Sequence, residues 1–304
     1  MNNSQLTYVL ITPARNEDAY IERTIQSVVA QTTQPVKWII VSDGSTDRTD
    51  EIVQKYATLH SWIELVRMPE RKERHFAGKA QAFNAGYERL RSIEYSIIGN
   101  LDADITFETD YIQFLLSKFQ VYPNLGVAGT PFREGCSQYD YRFVSIDHVS
   151  GACQLFRRQC FESIGGYKPL PRGIDLIAVT TARMQGWMTR CFTERWSQHH
   201  RVQGTGMNRG VLVNFWSGYY DYVLGVWLMW QVIRSIYGLR SKPFFIGGFC
   251  LLAGYLWAMI TRAERPVSNE IIAFRKKEAK LRLHALIKNL FTRRGMFANT
   301  DTTR

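Results

Sequence analysis

Two aspartates separated by one residue, Asp102 and Asp104, come directly after a run of apolar residues that ends at Leu101. Carboxylate oxygens are hard ligands, and they suit a divalent cation such as Mg²⁺ or Mn²⁺. Such a cation can bridge two neighbouring phosphates and neutralise the charge that develops when a diphosphate leaves. A lone pair of aspartates at this spacing is common, so the elements around it decide whether it forms a site.

Short runs of β-forming residues alternate with helical patterns over about the first 132 residues, which predicts an α/β fold. We expect a mixed, mainly parallel sheet with helices on both faces. The predicted strands are residues 8–12, 36–41, 62–68, 95–101 and 126–132. Ligands bind beyond the carboxyl ends of the strands in such sheets. The polar residues that follow the strands, at 13–17, 42–45 and 102–104, are therefore candidates for one site, although each alone also fits a turn or a helix cap.

Four motifs in this order resemble the family 2 glycosyltransferases, which have the GT-A fold. They are Thr-Pro-Ala-Arg-Asn-Glu at 12–17, Ser-Asp-Gly-Ser-Thr-Asp-Arg-Thr at 42–49, Gly-Lys-Ala-x-Ala-x-Asn-Ala-Gly at 78–86 and Asn-Leu-Asp-Ala-Asp at 100–104. The resemblance continues more loosely to about residue 200. It implies an inverting transfer of a sugar from a UDP-sugar or a GDP-sugar, with Mg²⁺ or Mn²⁺ as the cofactor.

The resemblance also implies a nucleotide-sugar site made of Pro13, Ala14, Glu17, Asp43, Lys79 and Asp102. Within it, Asp43 would bond to the base and Lys79 would lie near the diphosphate. Asp102 would contact the ribose and the metal, and Asp104 would be the main metal ligand. His199 or His200 is a candidate for a third metal ligand or a diphosphate contact.

An inverting transfer to a hydroxyl needs a base within hydrogen-bond reach of the proton that is removed. The family places this base in a Glu-Asp pair before a helix, and Asp175 fits the position although Ile174 replaces the expected acid. Asp175 could also cap the helix predicted at 176–185. A polyprenyl phosphate acceptor is already ionised, so with that acceptor Asp175 would orient rather than deprotonate.

Processive synthases of the family carry a Gln-x-x-Arg-Trp motif. Here Arg195 and Trp196 follow Phe192 at the glutamine position, which disfavours processive polymerisation. A dinucleotide-binding oxidoreductase is also disfavoured, because residues 12–15 after the first strand contain no glycine.

The positive charge lies at the C-terminal end of the chain. Residues 1–210 hold 24 Lys and Arg against 22 Asp and Glu, whereas residues 211–304 hold 14 against 5. The basic residues follow an apolar run and do not alternate with stacking aromatics, which argues against nucleic acid as a partner. Five scattered cysteines without a Cys-x-x-Cys pair, and an N-terminus without a signal-peptide pattern, predict a reducing compartment.

The chain after residue 210 has the pattern of a membrane-associated region. Residues 244–260 carry no charge, residues 223–233 form a shorter apolar run, and Leu283, Leu286, Ile287 and Leu290 share one face of a basic segment. We expect either a hairpin of short helices or one re-entrant helix, with the basic segment on an anionic surface. A buried helix pair and a solvated charged tail are the alternatives.

These patterns predict a catalytic domain at 1–210 and a membrane-associated helical region at 211–304. The predicted enzyme transfers one sugar to a lipid-linked or saccharide acceptor, in glycolipid or surface-polysaccharide synthesis at the cytoplasmic face of the inner membrane. Alternatives are a polyprenyl-phosphate sugar transferase, an enzyme with a soluble acceptor, and an inactive nucleotide-binding scaffold at the membrane.

Overall fold

The computed structural model describes residues 6–70, 77–134, 145–201, 211–239 and 245–298. Side chains at 211, 286, 287 and 289–298 lie outside this description, as do Cys136 and the residues between the ranges. The chain divides into two compact units, residues 1–203 and 204–304.

The first unit contains a seven-stranded sheet in the order β3-β2-β1-β4-β8-β6-β9 and a three-stranded sheet in the order β5-β10-β7. The strands are β1 Tyr8–Ala14, β2 Lys37–Asp43, β3 Ile63–Met68, β4 Ile97–Leu101, β5 Ile105–Thr106, β6 Leu125–Gly129, β7 Phe132–Arg133, β8 Cys153–Arg157, β9 Met188–Cys191 and β10 Ser197–His199. Strands β3, β2, β1 and β4 are parallel neighbours, and β8 runs antiparallel to β4 and β6. The predicted mixed, mainly parallel sheet is confirmed.

Helices cover both faces of the large sheet. They are α1 Ile21–Val29, α2 Thr49–Leu59, α3 Ala77–Glu88, α4 Tyr111–Val121, α5 Arg158–Ser163 and α6 Ile174–Met184. Successive side chains of a strand point to opposite faces. Leu10 of β1 therefore joins a buried cluster that includes Ile25 of α1, whereas Ile11 on the other face lies beside Gly86 of α3.

The fifth predicted strand, residues 126–132, is two strands in the structure. Strand β6 ends at Gly129, and Phe132 already belongs to β7 in the smaller sheet. Pro131 lies between them, and a proline has no N–H to continue a ladder of hydrogen bonds. The break moves the chain from one sheet to the other beside the candidate site.

The second unit consists of helices α7 Val211–Val223, α8 Leu228–Gly238, α9 Ile246–Ile260 and α10 Asn269–Ala298. The backbones of α7 and α9 are in contact: a Cβ added to Gly218 would lie 1.8 Å from the Leu251 carbonyl oxygen, and one added to Gly254 would lie 1.8 Å from that of Phe215. Only glycine permits this approach, which resembles the small-residue packing of helices in membranes.

Among the described residues, no helix is both long enough and apolar enough to cross a membrane. The predicted apolar run 244–260 becomes α9, which has 15 residues and is about 22 Å long at 1.5 Å per residue. The predicted run 223–233 is broken, because Val223 ends α7 and α8 begins at Leu228. Of the four apolar residues predicted on the basic segment, only Leu283 has a described side chain.

Candidate active site

The three predicted groups of polar residues meet at one edge of the large sheet. Strands β1, β2 and β4 are adjacent and parallel, so their carboxyl ends share that edge. Ala14 is in register with Ser42, Asp43 is the last residue of β2, and Asp102 follows the last residue of β4. The alternation of strands and helices in the sequence was sufficient to predict this convergence.

The loops that follow β1 and β2 are joined by hydrogen bonds. The Thr46 amide donates to Asn16 Oδ1 at 2.8 Å, and the Asn16 amide donates to Ser45 Oγ at 3.2 Å. The Glu17 amide donates to Thr49 Oγ1 at 2.7 Å. These bonds fix the backbone around Glu17, whose side chain is buried although it is acidic.

Asp43 and Ala14 are also buried at this edge, and Pro13 is half-buried. They lie at the ends of two paired strands, β1 and β2. Their roles in binding a nucleoside stay predictions.

Lys79, in the first turn of α3, contacts the first aspartate of the motif. Its Nζ lies 2.5 Å from Asp102 Oδ1. Burial is the largest single effect and lowers the pKa of Lys79. The charge and hydrogen bond of Asp102, with smaller effects of the charges of Asp175 and Asp104, together outweigh burial, so the pKa of Lys79 is raised. Burial raises the pKa of Asp102 against the opposing effect of Lys79. Lys79 is therefore a protonated cation at the place where a diphosphate is predicted.

The peptide groups of Gly151 join this pair to the candidate base. The Gly151 carbonyl accepts hydrogen bonds from Asn100 Nδ2 at 2.5 Å and from Lys79 Nζ at 3.5 Å, and the Gly151 amide donates to Asp175 Oδ2 at 3.0 Å. A Cβ on Gly151 would lie 2.8 Å from Asp175 Cβ, so a larger residue there would displace the Asp175 side chain. The structure thus brings Asp175 next to the aspartate motif.

Asp175 lies in the first turn of α6, and Gly173 occupies the N-cap position. No side chain makes the cap hydrogen bond, so the alternative role of Asp175 as a helix cap is wrong. Its carboxylate instead accepts the bond from Gly151. That bond orients the carboxylate toward Gly151, whose carbonyl contacts Asn100 and Lys79.

The second aspartate of the motif has different partners from the first. Asp104 Oδ1 lies 3.5 Å from His199 Nε2, and Asp104 Oδ2 lies 3.7 Å from Arg201 Nε. Arg201 also forms an ion pair with Glu17. Asp104, His199 and Glu17 are all largely buried. Asp102 and Asp104 thus divide their contacts, one with Lys79 and the other with His199 and Arg201.

The two neighbouring histidines have separate environments. His200 Nε2 is 2.9 Å from Thr106 Oγ1, and burial followed by the charge of Arg23 lowers the pKa of His200. His199 belongs to β10, which pairs antiparallel with β5 and places His199 opposite Ile105, the residue after Asp104. Of the two candidates, His199 is therefore the one whose ring nitrogen lies beside Asp104.

The described residues contain no group of three His, Cys, Asp or Glu side chains that could hold a metal ion. The predicted set of two aspartates and one histidine is not assembled, because Asp102 contacts Lys79. Asp104 and His199 nevertheless fit a site with two protein ligands. Two atoms that each lie about 2.1 Å from one cation are separated by roughly 3.0 to 3.5 Å, which matches the 3.5 Å between Asp104 Oδ1 and His199 Nε2. Such a site leaves positions for phosphate oxygens.

Sequence reasoning gave no role to Asn100, Glu134 or Arg201, although Asn100 belongs to the motif at 100–104. Asn100 precedes the aspartate motif by two residues, so the period-2 alternation of a strand was a usable signal for it. Glu134 lies 3.1 Å from His199 Nδ1, and Arg201 contacts Asp104 and Glu17. No local pattern connects Glu134 or Arg201 with the motif, because they reach it only through the pairing of β7, β10 and β5.

A mixed α/β sheet that collects buried carboxylates and a lysine at the carboxyl ends of its strands is typical of enzymes that bind nucleotides. The sequence profile described as Glycosyl transferase family 2 matches residues 9–169, which is more than half of the chain. The protein belongs to glycosyltransferase family 2, and it is a glycosyltransferase. The resemblance stated from the motifs is thereby confirmed.

Known proteins that resemble the chain include other transferases. The poly-β-1,6-N-acetyl-D-glucosamine synthase of Staphylococcus aureus (strain COL) is 32% identical over 136 residues, which are 44% of this chain and 31% of the relative. The chain thus matches about a third of the length of this curated relative.

Solved structures of GT-A transferases share the fold. The mannosyltransferase PcManGT from Pyrobaculum calidifontis, in complex with GDP-Man and Mn²⁺, has a TM-score of 0.56 and 18% identity, with 95% of this chain and 84% of that chain covered. S. aureus TarS 1–349 in complex with UDP-GlcNAc has a TM-score of 0.55 and 13% identity, with 89% and 78% covered. At these identities the likeness concerns the fold.

Proposed function

We propose that the protein transfers one sugar from a UDP-sugar or a GDP-sugar to a lipid-linked or saccharide acceptor, with inversion and with Mg²⁺ or Mn²⁺. The observation that carries the proposal is the division of contacts at the aspartate motif, where Lys79 pairs with Asp102 while Asp104 lies beside His199. A lysine cation beside one aspartate and a candidate metal position beside the other suit the departure of a diphosphate. The GDP-Man and UDP-GlcNAc complexes of PcManGT and TarS support a nucleotide-sugar donor.

The cation, when bound, supplies Lewis-acid neutralisation of the diphosphate. Asp104 and His199 would hold it. The pKa of Lys79 is raised, so its side chain stays protonated. That positive charge would contact phosphate oxygens. Asp43, Pro13 and Ala14 would receive the nucleoside at the ends of β1 and β2.

Asp175 would remove the proton of an acceptor hydroxyl. The acceptor oxygen bonds to the anomeric carbon while the bond from that carbon to the diphosphate oxygen breaks. The hydroxyl proton passes to the Asp175 carboxylate, and the electron pair leaves with the nucleoside diphosphate. The hydrogen bond from the Gly151 amide holds the carboxylate in place.

Addition of a single sugar, rather than polymerisation, is supported by Phe192. Its side chain is buried and packs against the rings of Phe114 and Tyr122. Arg195 pairs with Asp110 at 2.9 Å. Phe192 and Arg195, which stand at positions of the family's processive motif, thus serve packing and a surface ion pair here.

The second unit supports attachment to a membrane surface. An apolar stripe on α9, formed by Ile246, Phe249, Ala253, Trp257 and Ile260, is exposed at spacings of three and four residues. These spacings place the stripe on one face of the helix. An exposed apolar face of this kind is typical of helices that lie in the headgroup region of a bilayer.

Helix α10 adds positive charge to the same unit. Lys276, Lys277, Lys280 and Lys288 are exposed on it, and Ile272 contacts Gly225 between α7 and α8. Exposed lysines are attracted to anionic lipids by about 1 kcal/mol each near the surface. We infer that the unit binds the cytoplasmic face of the inner membrane, where a lipid-linked acceptor would be available.

A donor screen tests the proposed reaction. Purified full-length protein in detergent is given UDP- and GDP-sugars, and release of the nucleoside diphosphate is measured with Mn²⁺, with Mg²⁺ and with EDTA. We expect release from one donor class with a metal and loss of at least about 100-fold with EDTA. Turnover that persists in EDTA would contradict the metal proposal, and donor binding without turnover of any acceptor would favour the alternative of an inactive scaffold.

A further inference from the structure

The imidazole of His199 lies between two carboxylates. Its Nε2 is 3.5 Å from Asp104 Oδ1, and its Nδ1 is 3.1 Å from Glu134 Oε1. The exposed fraction of the side chain is 7% for His199, 10% for Asp104 and 16% for Glu134. Water therefore has little access to either ring nitrogen, and the two carboxylates decide what the ring can do.

The contact on the Nδ1 side is close in distance but not aligned as a hydrogen bond. Both His199 Nδ1 and Glu134 Oε1 are buried, and neither has a hydrogen-bond partner among the described residues. A buried polar atom without a partner costs on the order of 1 to 3 kcal/mol. At 3.1 Å, a small rotation of either side chain gives both atoms a partner at once.

A hydrogen bond from Nδ1 to Glu134 determines whether the other ring nitrogen, Nε2, carries a proton. A neutral imidazole carries one N–H, so a proton on Nδ1 leaves a lone pair on Nε2. That lone pair is 3.5 Å from a carboxylate oxygen, an arrangement that repels unless a cation lies between the two atoms. A carboxylate behind a histidine is also the usual way to orient an imidazole toward a metal.

We propose that Glu134 is a positioning residue that accepts a hydrogen bond from Nδ1 of His199 and thereby presents Nε2 to the cation beside Asp104. This inference rests on the proposed function, since it requires Asp104 and His199 to hold the cation. Glu134 follows β7, and β10 pairs with β7 one residue earlier, at Gln198 and Arg133. The small sheet therefore sets the distance between Glu134 and the ring.

Three substitutions of Glu134 separate this role from a general effect of negative charge. Glu134→Gln keeps the length of the side chain and an oxygen acceptor but removes the charge. Glu134→Asp keeps the charge but is one methylene shorter, so it withdraws the acceptor from Nδ1. Glu134→Ala removes both. The control is Glu64→Ala. It removes a carboxylate on edge strand β3 that forms an ion pair with Lys37 of β2.

The experiment measures Mn²⁺ binding to the full-length protein by electron paramagnetic resonance, with UDP or GDP as the nucleotide probe and without any acceptor. We expect Glu134→Ala and Glu134→Asp to weaken Mn²⁺ binding about 10- to 100-fold, and Glu134→Gln and Glu64→Ala to stay within a few-fold of the parent. Long-range ¹H–¹⁵N spectra of the histidines should show the Nδ1–H tautomer of His199 in the parent and in Glu134→Gln.

Asp104→Asn and His199→Ala distinguish failure of this inference from failure of the proposed metal site. If these two variants lose Mn²⁺ while Glu134→Ala and Glu134→Asp bind it as the parent does, Glu134 has no positioning role. Stronger binding by Glu134→Asp than by Glu134→Gln would also overturn the inference, because charge rather than reach would then be decisive. If Asp104→Asn and His199→Ala bind Mn²⁺ as the parent does, these two residues do not hold the metal, and the proposed metal site is wrong.

Discussion

The two units of the chain use charged and apolar residues in opposite ways. In residues 1–203 the acidic side chains of the site are buried or half-buried and are paired, as Asp102 is with Lys79 and Glu17 is with Arg201. In residues 204–304 the apolar stripe on α9 is exposed, and so are several lysines of α10. The first arrangement fixes charges for chemistry, and the second exposes surface for attachment.

This contrast teaches that the net charge of +11 describes neither unit well. The unit with the candidate chemistry is nearly neutral, and its ionisable groups act through their positions. The helical unit carries most of the excess positive charge. The summed field of that charge acts over long distances and does not depend on any one residue. Changes in the first unit should therefore alter turnover, and changes in the second should alter membrane binding.

The strongest test in the first unit is Asp175→Asn. An amide cannot take the proton of an acceptor hydroxyl, but its oxygen still accepts the bond from the Gly151 amide. We expect kcat with a hydroxyl acceptor to fall by about 100- to 1,000-fold while donor affinity stays unchanged. Nucleotide release and donor binding by calorimetry measure the two effects.

Acceptor chemistry sharpens this test. A polyprenyl phosphate is already ionised, so Asp175→Asn should retain activity with it if that lipid is the true acceptor. Full activity with every hydroxyl acceptor would show that Asp175 is not the base. Asp110→Asn, an exposed carboxylate paired with Arg195, is the matched control and should have parent activity.

The second unit is tested by Phe249→Ser combined with Trp257→Ser. The exposed fractions of these side chains are 66% and 55%, so their loss removes apolar area from the stripe without opening a core. Losing about 1 kcal/mol of burial at each residue predicts roughly 30-fold weaker binding to vesicles that contain phosphatidylglycerol. Co-sedimentation with these vesicles and with neutral phosphatidylcholine vesicles measures it.

This double variant should turn over a soluble acceptor as fast as the parent does, because the first unit is unchanged. The control is Leu59→Ser, an exposed apolar residue at the end of α2 in the first unit. Parent-like vesicle binding by Phe249→Ser with Trp257→Ser would show that the stripe is not the attachment surface. Equal loss in Leu59→Ser would show that binding is nonspecific.

The smallest expected effect comes from Gly151→Ala. The added Cβ would lie 2.8 Å from Asp175 Cβ and 3.0 Å from its Cγ, so the carboxylate must move by a few tenths of an ångström. We expect kcat to fall about 10-fold, because a displaced base meets the acceptor less often in a reactive geometry. Donor KM and vesicle binding should not change, and an unchanged kcat would mean that the position of Asp175 is not critical.

Much of the fold followed from the sequence, because the carboxyl ends of adjacent parallel strands always lie at the same edge of the sheet. The strands that end at Ala14, Asp43 and Leu101 were predicted to within two residues, and their carboxyl ends share an edge. The break at Pro131 was not predicted, since residues 126–132 have a continuous β pattern. A proline at a strand end is permitted by the local pattern, and only the pairing partners reveal that the chain changes sheets.

By itself, the sequence determined which residue types the site has and which strand ends carry them, because local periodicity and apolar patterning are properties of neighbouring residues. The tertiary structure alone decided that His199 rather than His200 lies beside Asp104, and that Glu134 stands behind it. Adjacent residues of a strand point to opposite faces, so a one-residue change of register between β10 and β5 would exchange the two histidines. That register is set by contacts between segments almost 100 residues apart in the chain, which no local pattern records.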